Sequence, residues 1–348
     1  MEIINKSMWI IKTIKNILFK KKVELGLLSR DPTDIRDYQL AEIQTPVELP
    51  EEFDLRDKMT STQRQNWGTC TANMADGVKE FWDKKEYGRE IKLSQKFIYI
   101  NTKKISGLWN TQGDYLRNAF KAVCDYGACL EETFPDIKRN TWEEYIKDVP
   151  SDEAYKEAEK YKGKTFWAVG STLEDFRQAI FQNKCPVGFG MMWDKSYYVP
   201  APADARLSLP SGVELGGHAV ICVGWTKDKL WFKNSHGTDW GLNGYAYIPF
   251  SEFEKHDIWN AYILTDRIEP PLSKIEGWVA IEYLRQFQGF KAGTKVAPVY
   301  NLNLRIKPAV ESQKLITLKR NQECEVLSDE VIDANGYKWQ KIRTMLDN

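Results

Sequence analysis

The stretch QNWGTCTANMA, residues 65–75, places a cysteine directly before a run that favours a helix. Cys70 is therefore expected at or near a helix N-terminus, where unpaired backbone N–H groups and the helix dipole stabilise a thiolate. Most free cysteines are instead small buried hydrophobic residues, so this position alone does not identify a nucleophile. The interpretation depends on whether the rest of the chain supplies a general base and a group that orients it.

The composition of the 348-residue chain is that of a globular protein with room for two or three domains. Lys and Arg together number 49, as do Asp and Glu, so the formal net charge is zero. A neutral chain without basic and aromatic alternation gives no indication of a nucleic-acid partner. The chain also contains no apolar run of the length that spans a bilayer, so we expect no transmembrane segment.

The six cysteines are widely spaced and form no C-x-x-C pair, and the chain has three scattered histidines. This pattern predicts neither a zinc site nor a disulfide framework, and we expect no metal and no cofactor. We therefore expect mostly free thiols. The cysteines other than Cys70 are interpreted as structural: Cys124, Cys129, Cys185, Cys222 and Cys324.

Residues 1–30 are predicted to form an N-terminal amphipathic leader, whose apolar residues are interrupted by Lys12 and Lys15. A secretory signal needs its charge before an uninterrupted apolar core and a small-residue cleavage site after it, and this leader has neither. Three alternatives remain open: a helix docked on the protein, a removable or inhibitory leader, and a helix that lies on a membrane surface. Localisation therefore stays undetermined.

The order of the predicted elements indicates an α+β fold. A first helix is predicted from Cys70 to about Lys85, and a second begins after Ser94, which would be its N-cap. A third is predicted over residues 114–126, where Gly127 stops the helix. From Pro186 onward, short β-branched or aromatic segments separated by turn residues predict strands. Helices followed by strands favour two layers that face each other across a cleft.

The general base is expected among the three histidines. His218 stands in GGHAVICVGW, residues 216–225, where a glycine pair leads into a predicted strand. Asn234 follows sixteen residues later, and a tight turn between two strands would bring its side-chain oxygen beside one ring nitrogen. His256 has charged neighbours and is interpreted as a surface residue.

With these residues in view, the chain closely resembles the papain family of cysteine peptidases. The resemblance lies in the order Cys, His, Asn, in GHAVICVGW, in KNSHGTDWGLNGY and in the spacing between the two blocks. DLRD before the cysteine and LSQKFIY after it are also similar, and DPTDIRDY is similar to the lead-in of bacterial and phage members. The resemblance implies a papain-like peptidase domain over residues 31–268, with a helical lobe and an antiparallel β-barrel lobe.

The resemblance also assigns roles to individual residues. Cys70 would be the nucleophile, His218 the acid and base, and Asn234 the residue that orients the imidazole. The oxyanion would be held by the Cys70 backbone N–H and a glutamine side chain. The family glutamine stands six residues before the cysteine, where this chain has Arg64. An alignment from Asp57 forward selects Gln65, which we prefer to Gln63.

Four further residues bear on substrate binding or on the shielding of the site. Gly113 matches a family glycine that pairs with the substrate backbone, although an ordinary loop glycine explains it equally well. Gly217 allows another chain to approach closely. Trp240 is expected to pack beside the asparagine. His236 stands where the family has a shielding tryptophan, which would leave the site wetter or add a second titrating group.

The tail resembles bacterial SH3-like domains, which often bind cell-wall peptide or glycan. The similarity lies in LNLRIKP, KLITLK and WQKIR, which begin at residues 302, 314 and 339. Their usual closing G-W-V strand is missing after Asn348, whereas GWVAIEYL at 277–284 has that pattern. We therefore expect a small all-β barrel over residues 277–348, completed by 277–284 as a permuted strand, after a boundary at Pro270 and Pro271.

Three functions are compatible with these patterns. The first is a cysteine endopeptidase that hydrolyses peptide bonds through a thioester, with a protein or peptide substrate. The second is an inactive scaffold used for binding or structure, which Arg64 and His236 would favour. The third is a thiol endopeptidase that cuts cell-wall peptides, which the tail favours and the Asn234 block disfavours. Attachment to a cell surface or virion through the tail follows by analogy.

Overall fold

A computed structural model of the protein describes residues 28–32, 40, 44–198, 205–266, 274–286, 291–312 and 314–345. The expected leader helix and the Pro270–Pro271 boundary lie outside the described residues. Among the described residues, no helix is both long and apolar enough to cross a membrane.

The helical part is built around α1 (Cys70–Tyr87), which is buried from Cys70 to Asp83. Ser94 caps α2 (Gln95–Ser106) by accepting a hydrogen bond from the Phe97 N–H, which confirms the predicted cap. The third predicted helix is α3 (Leu116–Asp125). Three further helices follow: α4 (Trp142–Tyr145), α5 (Asp152–Ala158) and α6 (Leu173–Asn183).

The first sheet is antiparallel and has the strand order β2-β7-β3-β4-β5-β6, with β1 paired to β4. Its strands are β1 (Phe53–Asp54), β2 (Thr165–Val169), β3 (Val187–Asp194), β4 (Glu214–Thr226), β5 (Lys229–Lys233), β6 (Tyr245–Pro249) and β7 (Ile258–Thr265). Strands β4 and β5 form the predicted hairpin, with Trp225 opposite Leu230. Asn234 directly follows the end of β5 and His218 lies within β4.

Two glycines allow α1 to lie close against this sheet. An ideal Cβ on Gly77 of α1 would be 2.6 Å from Ile221 Cδ1, and one on Gly188 of β3 would be 2.1 Å from Met74 Sδ. Both separations are shorter than a carbon makes with a neighbouring atom in a packed interior, so larger residues would push the helix away. Close packing therefore brings the N-terminus of α1 to the strands that carry the candidate base.

The second sheet is antiparallel, in the order β12-β11-β8-β14-β13-β10-β9. Its strands are β8 (Lys274–Ala280), β9 (Leu284–Gln286), β10 (Lys295–Pro298), β11 (Leu302–Arg305), β12 (Lys314–Leu318), β13 (Cys324–Ala334) and β14 (Tyr337–Met345). Strand β8 pairs with β14 along its whole length and with β11 at Trp278. The expected pairing of residues 277–284 with the tail is thus confirmed for 277–280 and for Leu284, which pairs with Pro298 of β10, but a helical turn at Ile281–Tyr283 interrupts the expected single strand.

Candidate active site

Cys70 is the first residue of α1 and is fully buried. The preceding loop is held by two hydrogen bonds, from Thr69 Oγ1 to the Asn66 carbonyl (2.7 Å) and from the Gly68 N–H to Gln112 Oε1 (2.9 Å). Trp67 adopts the left-handed region with φ 54°, a conformation that costs energy for a bulky residue. No acidic residue lies in the first helical turn, so the unpaired N–H groups there favour a thiolate.

His218 is oriented by Asn234, because its Nε2 lies 2.8 Å from Asn234 Oδ1. The same oxygen accepts a hydrogen bond from the Ser235 N–H at 2.8 Å. An oxygen that accepts both bonds requires a proton on Nε2, which leaves the Nδ1 lone pair to act as a base. No described residue forms a hydrogen bond with Nδ1. Burial lowers the pKa of His218 to about 4, although the bond to Asn234 raises it.

Aromatic rings enclose the imidazole. The Trp193 ring lies 4.5 Å from that of His218, and the His236 ring lies 4.8 Å away. Tyr198 stacks on His236 at 5.8 Å, and the buried Trp240 meets His236 edge-on with ring centroids 6.0 Å apart. The expectation that His236 leaves the pair wetter is wrong, since His218 is 0% exposed. Burial and the neighbouring His218 and Arg64 charges lower the pKa of His236 well below its usual value.

The nucleophile candidate lies beside this aromatic cluster. Burial and the negative charge of Cys70 raise the pKa of Tyr198 to about 12, and Tyr198 stacks on His236. Cys70 thus begins the helix that packs against β4, the strand that carries His218, and His218 is in turn bonded to Asn234.

Gln65 lies next to the loop that carries Asn234. Its backbone N–H donates to the Ser235 carbonyl at 2.9 Å, and its Oε1 accepts from Ser235 Oγ at 2.6 Å. Its Nε2 donates to the Trp67 carbonyl at 2.9 Å. Sequence reasoning did not select Ser235, although its position directly after Asn234 was a usable signal. These bonds hold the Gln65 amide close to the nucleophile loop.

Gln63 is directed into a buried acidic cluster instead. Its Nε2 lies 3.2 Å from both Asp76 Oδ2 and Glu80 Oε1. Its backbone carbonyl accepts from the Gly237 N–H at 3.0 Å, so residues 63–65 pair with residues 235–237. The two glutamines are therefore held by different partners, and Gln65 is the one bound beside Asn234.

The two candidate substrate glycines have different surroundings. An ideal Cβ on Gly217 would be 2.1 Å from the Leu28 carbonyl oxygen, and the two residues form an antiparallel backbone bridge. The chain that approaches Gly217 is thus a segment of the same protein, one residue from His218. Gly113 is buried, and its carbonyl oxygen accepts hydrogen bonds from Lys103 Nζ and from Thr111 Oγ1.

The segment 28–32 is anchored by Asp31. The Asp31 carboxylate accepts the backbone N–H groups of Leu116 and Arg117, each at 3.0 Å, in the first turn of α3. Tyr262 Oη donates to the same carboxylate at 2.8 Å, and the Asp31 N–H donates to Asn260 Oδ1 at 2.7 Å. Burial raises the pKa of Asp31, and these hydrogen bonds oppose the rise. Asp31 therefore caps a helix from outside it and holds Leu28 over the site.

Burial shifts the pKa values of the other five cysteines and of His256. All six cysteines are free thiols, and burial raises the pKa of four of them to about 12 and that of Cys324 to about 11. The surface prediction for His256 is wrong: it is 4% exposed, its Nδ1 is 2.7 Å from Tyr197 Oη, and burial lowers its pKa to about 4. The sequence does not indicate that Tyr197, 59 residues earlier, is the hydrogen-bond partner of His256.

Among the described residues, one group of carboxylates has the spacing of metal ligands: Asp83, Glu86 and Asp266. Lys79 Nζ donates hydrogen bonds to both Asp83 and Asp266. An ammonium group therefore already lies between two of the three carboxylates, as in a structural ion-pair network.

Comparisons with known proteins agree with this geometry. The family description "Papain family cysteine protease" matches residues 49–263. An uncharacterized peptidase C1-like protein of Acanthamoeba polyphaga mimivirus is 25% identical over 71% of this chain and 84% of its own length. A cysteine protease of Blomia tropicalis is 29% identical over 59% of this chain and 63% of its own. The solved structure of xylellain, a cysteine protease from Xylella fastidiosa, is 26% identical, with a TM-score of 0.61 over 71% of this chain and 98% of its own.

Proposed function

The chain belongs to the papain family of cysteine proteases, and we propose that it is an endopeptidase that uses Cys70, His218 and Asn234. The bond of 2.8 Å between His218 Nε2 and Asn234 Oδ1 carries this proposal. It leaves Nδ1 as the proton acceptor of a buried imidazole, beside a cysteine at a helix N-terminus. These are the parts that an activated thiol requires.

In the proposed reaction, Cys70 Sγ attacks the scissile carbonyl carbon as a thiolate. His218 then gives its Nδ1 proton to the amine nitrogen as the C–N bond breaks, which leaves a thioester. Water attacks the thioester while His218 takes a proton from it, and the acid product leaves as Cys70 is released. The thiolate and the imidazolium are thereby restored.

The low pKa of His218 makes the ion pair dependent on the thiolate. A buried imidazole with a pKa of about 4 is neutral at pH 7 unless an anion stabilises its charged form. The Cys70 thiolate supplies that anion, and the Asn234 oxygen accepts the Nε2 proton. His218 Nδ1 forms no hydrogen bond with Cys70 or with any other described residue. Catalytic hydrogen bonds commonly tighten once substrate binds.

Residues 28–32 are proposed to keep substrate out of the site. Leu28 bridges the Gly217 backbone, where an incoming chain would otherwise approach, and Cys70 is fully buried. Substrate entry then requires that this segment be displaced or removed. This supports the inhibitory alternative for the N-terminal leader.

Replacing Asp31 by alanine is expected to raise kcat/KM for a peptide substrate by about fivefold. Loss of a helix cap costs about 1 kcal/mol. This free energy corresponds to about a fivefold increase in the equilibrium constant for displacing residues 28–32. The neighbouring Arg30→Ala is the control, because Arg30 contributes an exposed ion pair with Asp257 that is worth little. Steady-state kinetics on folded variants would contradict the proposal if Asp31→Ala showed no gain over Arg30→Ala.

The tail is proposed to be an SH3-like binding module over residues 277–348, with a cell-wall or protein ligand. The pairing of β8 with β14 supports it, because the strand with the G-W-V pattern lies where the permuted barrel needs it. Residues with no exposed surface form a separate small core there, among them Val279, Val296 and Ile342. Co-sedimentation of the full-length Cys70→Ser protein with purified peptidoglycan tests the cell-wall ligand.

The substrate class is tested by parallel assays on casein and on purified peptidoglycan. We expect internal cleavage of casein, detected by mass spectrometry, and no release of peptidoglycan peptides. Turnover of peptidoglycan alone would favour a cell-wall endopeptidase. A folded protein that cleaves neither substrate, with or without Asp31→Ala, would favour an inactive scaffold.

A further inference from the structure

A small cavity lies behind the catalytic asparagine. Its volume is about 20 Å³, and it is bounded by Asn234 on one side and by Asn73 and Asp76 of α1 on the other. Asn73 and Asp76 are three residues apart, so both project from the same face of the helix. The cavity therefore connects the first turns of the nucleophile helix to the group that orients His218.

Three polar atoms of these residues are buried and have no hydrogen-bond partner among the described residues: Asn73 Oδ1, Asp76 Oδ1 and Asn234 Nδ2. The other end of each side chain is already held. Asn234 Oδ1 accepts from His218 and Ser235, and Asn73 Nδ2 donates to the Thr69 carbonyl at 3.0 Å. Asp76 Oδ2 accepts from Gln63 Nε2.

Leaving a buried polar atom unpaired costs about 1–3 kcal/mol, so three around one cavity call for a common partner. A cavity needs roughly 10–15 Å³ to hold a water molecule, which makes about three hydrogen bonds when buried. The volume of about 20 Å³ fits a single water. We propose that the cavity holds one water molecule that bridges Asn234 Nδ2 to Asn73 Oδ1 and Asp76 Oδ1, so that Asn73 and Asp76 position Asn234.

The mixture of donors and acceptors selects water over an ion. The Asn234 N–H points at the site and opposes a cation, as does the nearby Lys233 ammonium, which donates to the Thr60 and Ser61 carbonyls. The Asn73 and Asp76 oxygens oppose an anion. Burial, followed by the Glu80 charge, raises the pKa of Asp76 well above its usual value.

The water fixes which end of the Asn234 amide faces the imidazole. A flipped amide would direct Nδ2 at the protonated Nε2 of His218 and remove the acceptor that stabilises the imidazolium. With the water in place, the flipped form would also lose the hydrogen bond from Asn234 Nδ2 to the water. This role rests on the proposed function, in which His218 carries the proton.

The test combines a high-resolution crystal structure with kinetics of Asn73→Leu, which removes the acceptor and fills the cavity. We expect water density about 3 Å from Asn234 Nδ2 in the wild type. In Asn73→Leu we expect kcat to fall about tenfold with KM retained, because a misplaced catalytic group slows the chemical step. The alkaline limb of the pH profile should also move to lower pH, because the imidazolium loses its acceptor.

Asn101→Leu is the matched control. Asn101 is buried on α2, and its Nδ2 donates to the Phe97 carbonyl four residues earlier, as Asn73 does to Thr69. It should change neither kcat nor the pH profile. A dry cavity, or equal kinetics for the two variants, would overturn the proposal. If the wild type hydrolysed no peptide, the proposed function would fail, and the density would still decide whether the water is present.

Discussion

Replacing Cys70 by serine is expected to lower kcat/KM for a peptide substrate by about 10⁴-fold or more. Losing the nucleophile of a catalytic triad has an effect of this order, because the members act as a unit. A serine hydroxyl does not ionise near neutral pH, so it cannot supply the anion that charges the buried His218. Steady-state kinetics on protein of unchanged thermal stability measures the loss.

Cys124→Ser is the control for this substitution. Cys124 lies on α3 and is partly buried, and burial and the nearby Asp125 raise the pKa of its thiol to about 12. It should keep the wild-type kcat/KM. A Cys70→Ser protein that retained activity within the range of Cys124→Ser would show that Cys70 is not the nucleophile.

Replacing Gln65 by alanine is expected to lower kcat by about 10²–10³-fold, with little change in KM. One oxyanion-hole donor contributes this much, because it acts on charge that develops only in the transition state. The Gln65 amide is held by Ser235 and Trp67 beside the nucleophile loop, as that role requires. Pre-steady-state kinetics would place the loss in the acylation step.

Gln63→Ala is the matched control, since it removes the same side chain two residues earlier. Gln63 Nε2 is bound to Asp76 and Glu80, so its loss should reduce the free energy of unfolding and lower kcat by far less than Gln65→Ala does. The reverse pattern would assign the oxyanion donor to Gln63. Equal and small effects would remove both glutamines from the oxyanion site.

Local patterns were sufficient to predict the main elements of the peptidase domain. The helices at Cys70 and Ser94 have their own periodicity and caps, and the tight turn between β4 and β5 places Asn234 near His218. The pairing of residues 277–280 with the tail was likewise predicted from a short strand motif.

Contacts between distant segments were not predictable in the same way. Leu28 pairs with Gly217 through a backbone bridge. Such a bridge requires no particular side chain, so no residue pattern predicts it. His256 is buried because Tyr197 supplies a partner, although its neighbours in sequence are charged. The sequence places Asn73 on the helix of Cys70 but does not indicate that its side-chain oxygen is unpaired. The structure adds that Asn73 Oδ1 has no hydrogen-bond partner among the described residues and that Asn73 lines the cavity.

The choice between the two glutamines shows the same limit. Counting from Cys70 placed Arg64 at the expected position and left Gln63 and Gln65 on either side. The pairing of residues 63–65 with residues 235–237 separates them, because it holds each side chain against different partners. That pairing joins segments about 170 residues apart, as the Gln65–Ser235 bond shows.

The proposed mechanism requires a thiolate at Cys70 that His218 stabilises, and the pH dependence of alkylation by iodoacetamide reports on it. With limiting reagent, measured on the wild type and on Asp31→Ala, the adduct should map to Cys70. The reaction should persist well below the usual thiol pKa of about 8.5. In His218→Ala the pH dependence should move up to the ordinary thiol range. Alkylation of Cys70 no faster than that of the other five cysteines, or an identical pH dependence in His218→Ala, would contradict this assignment.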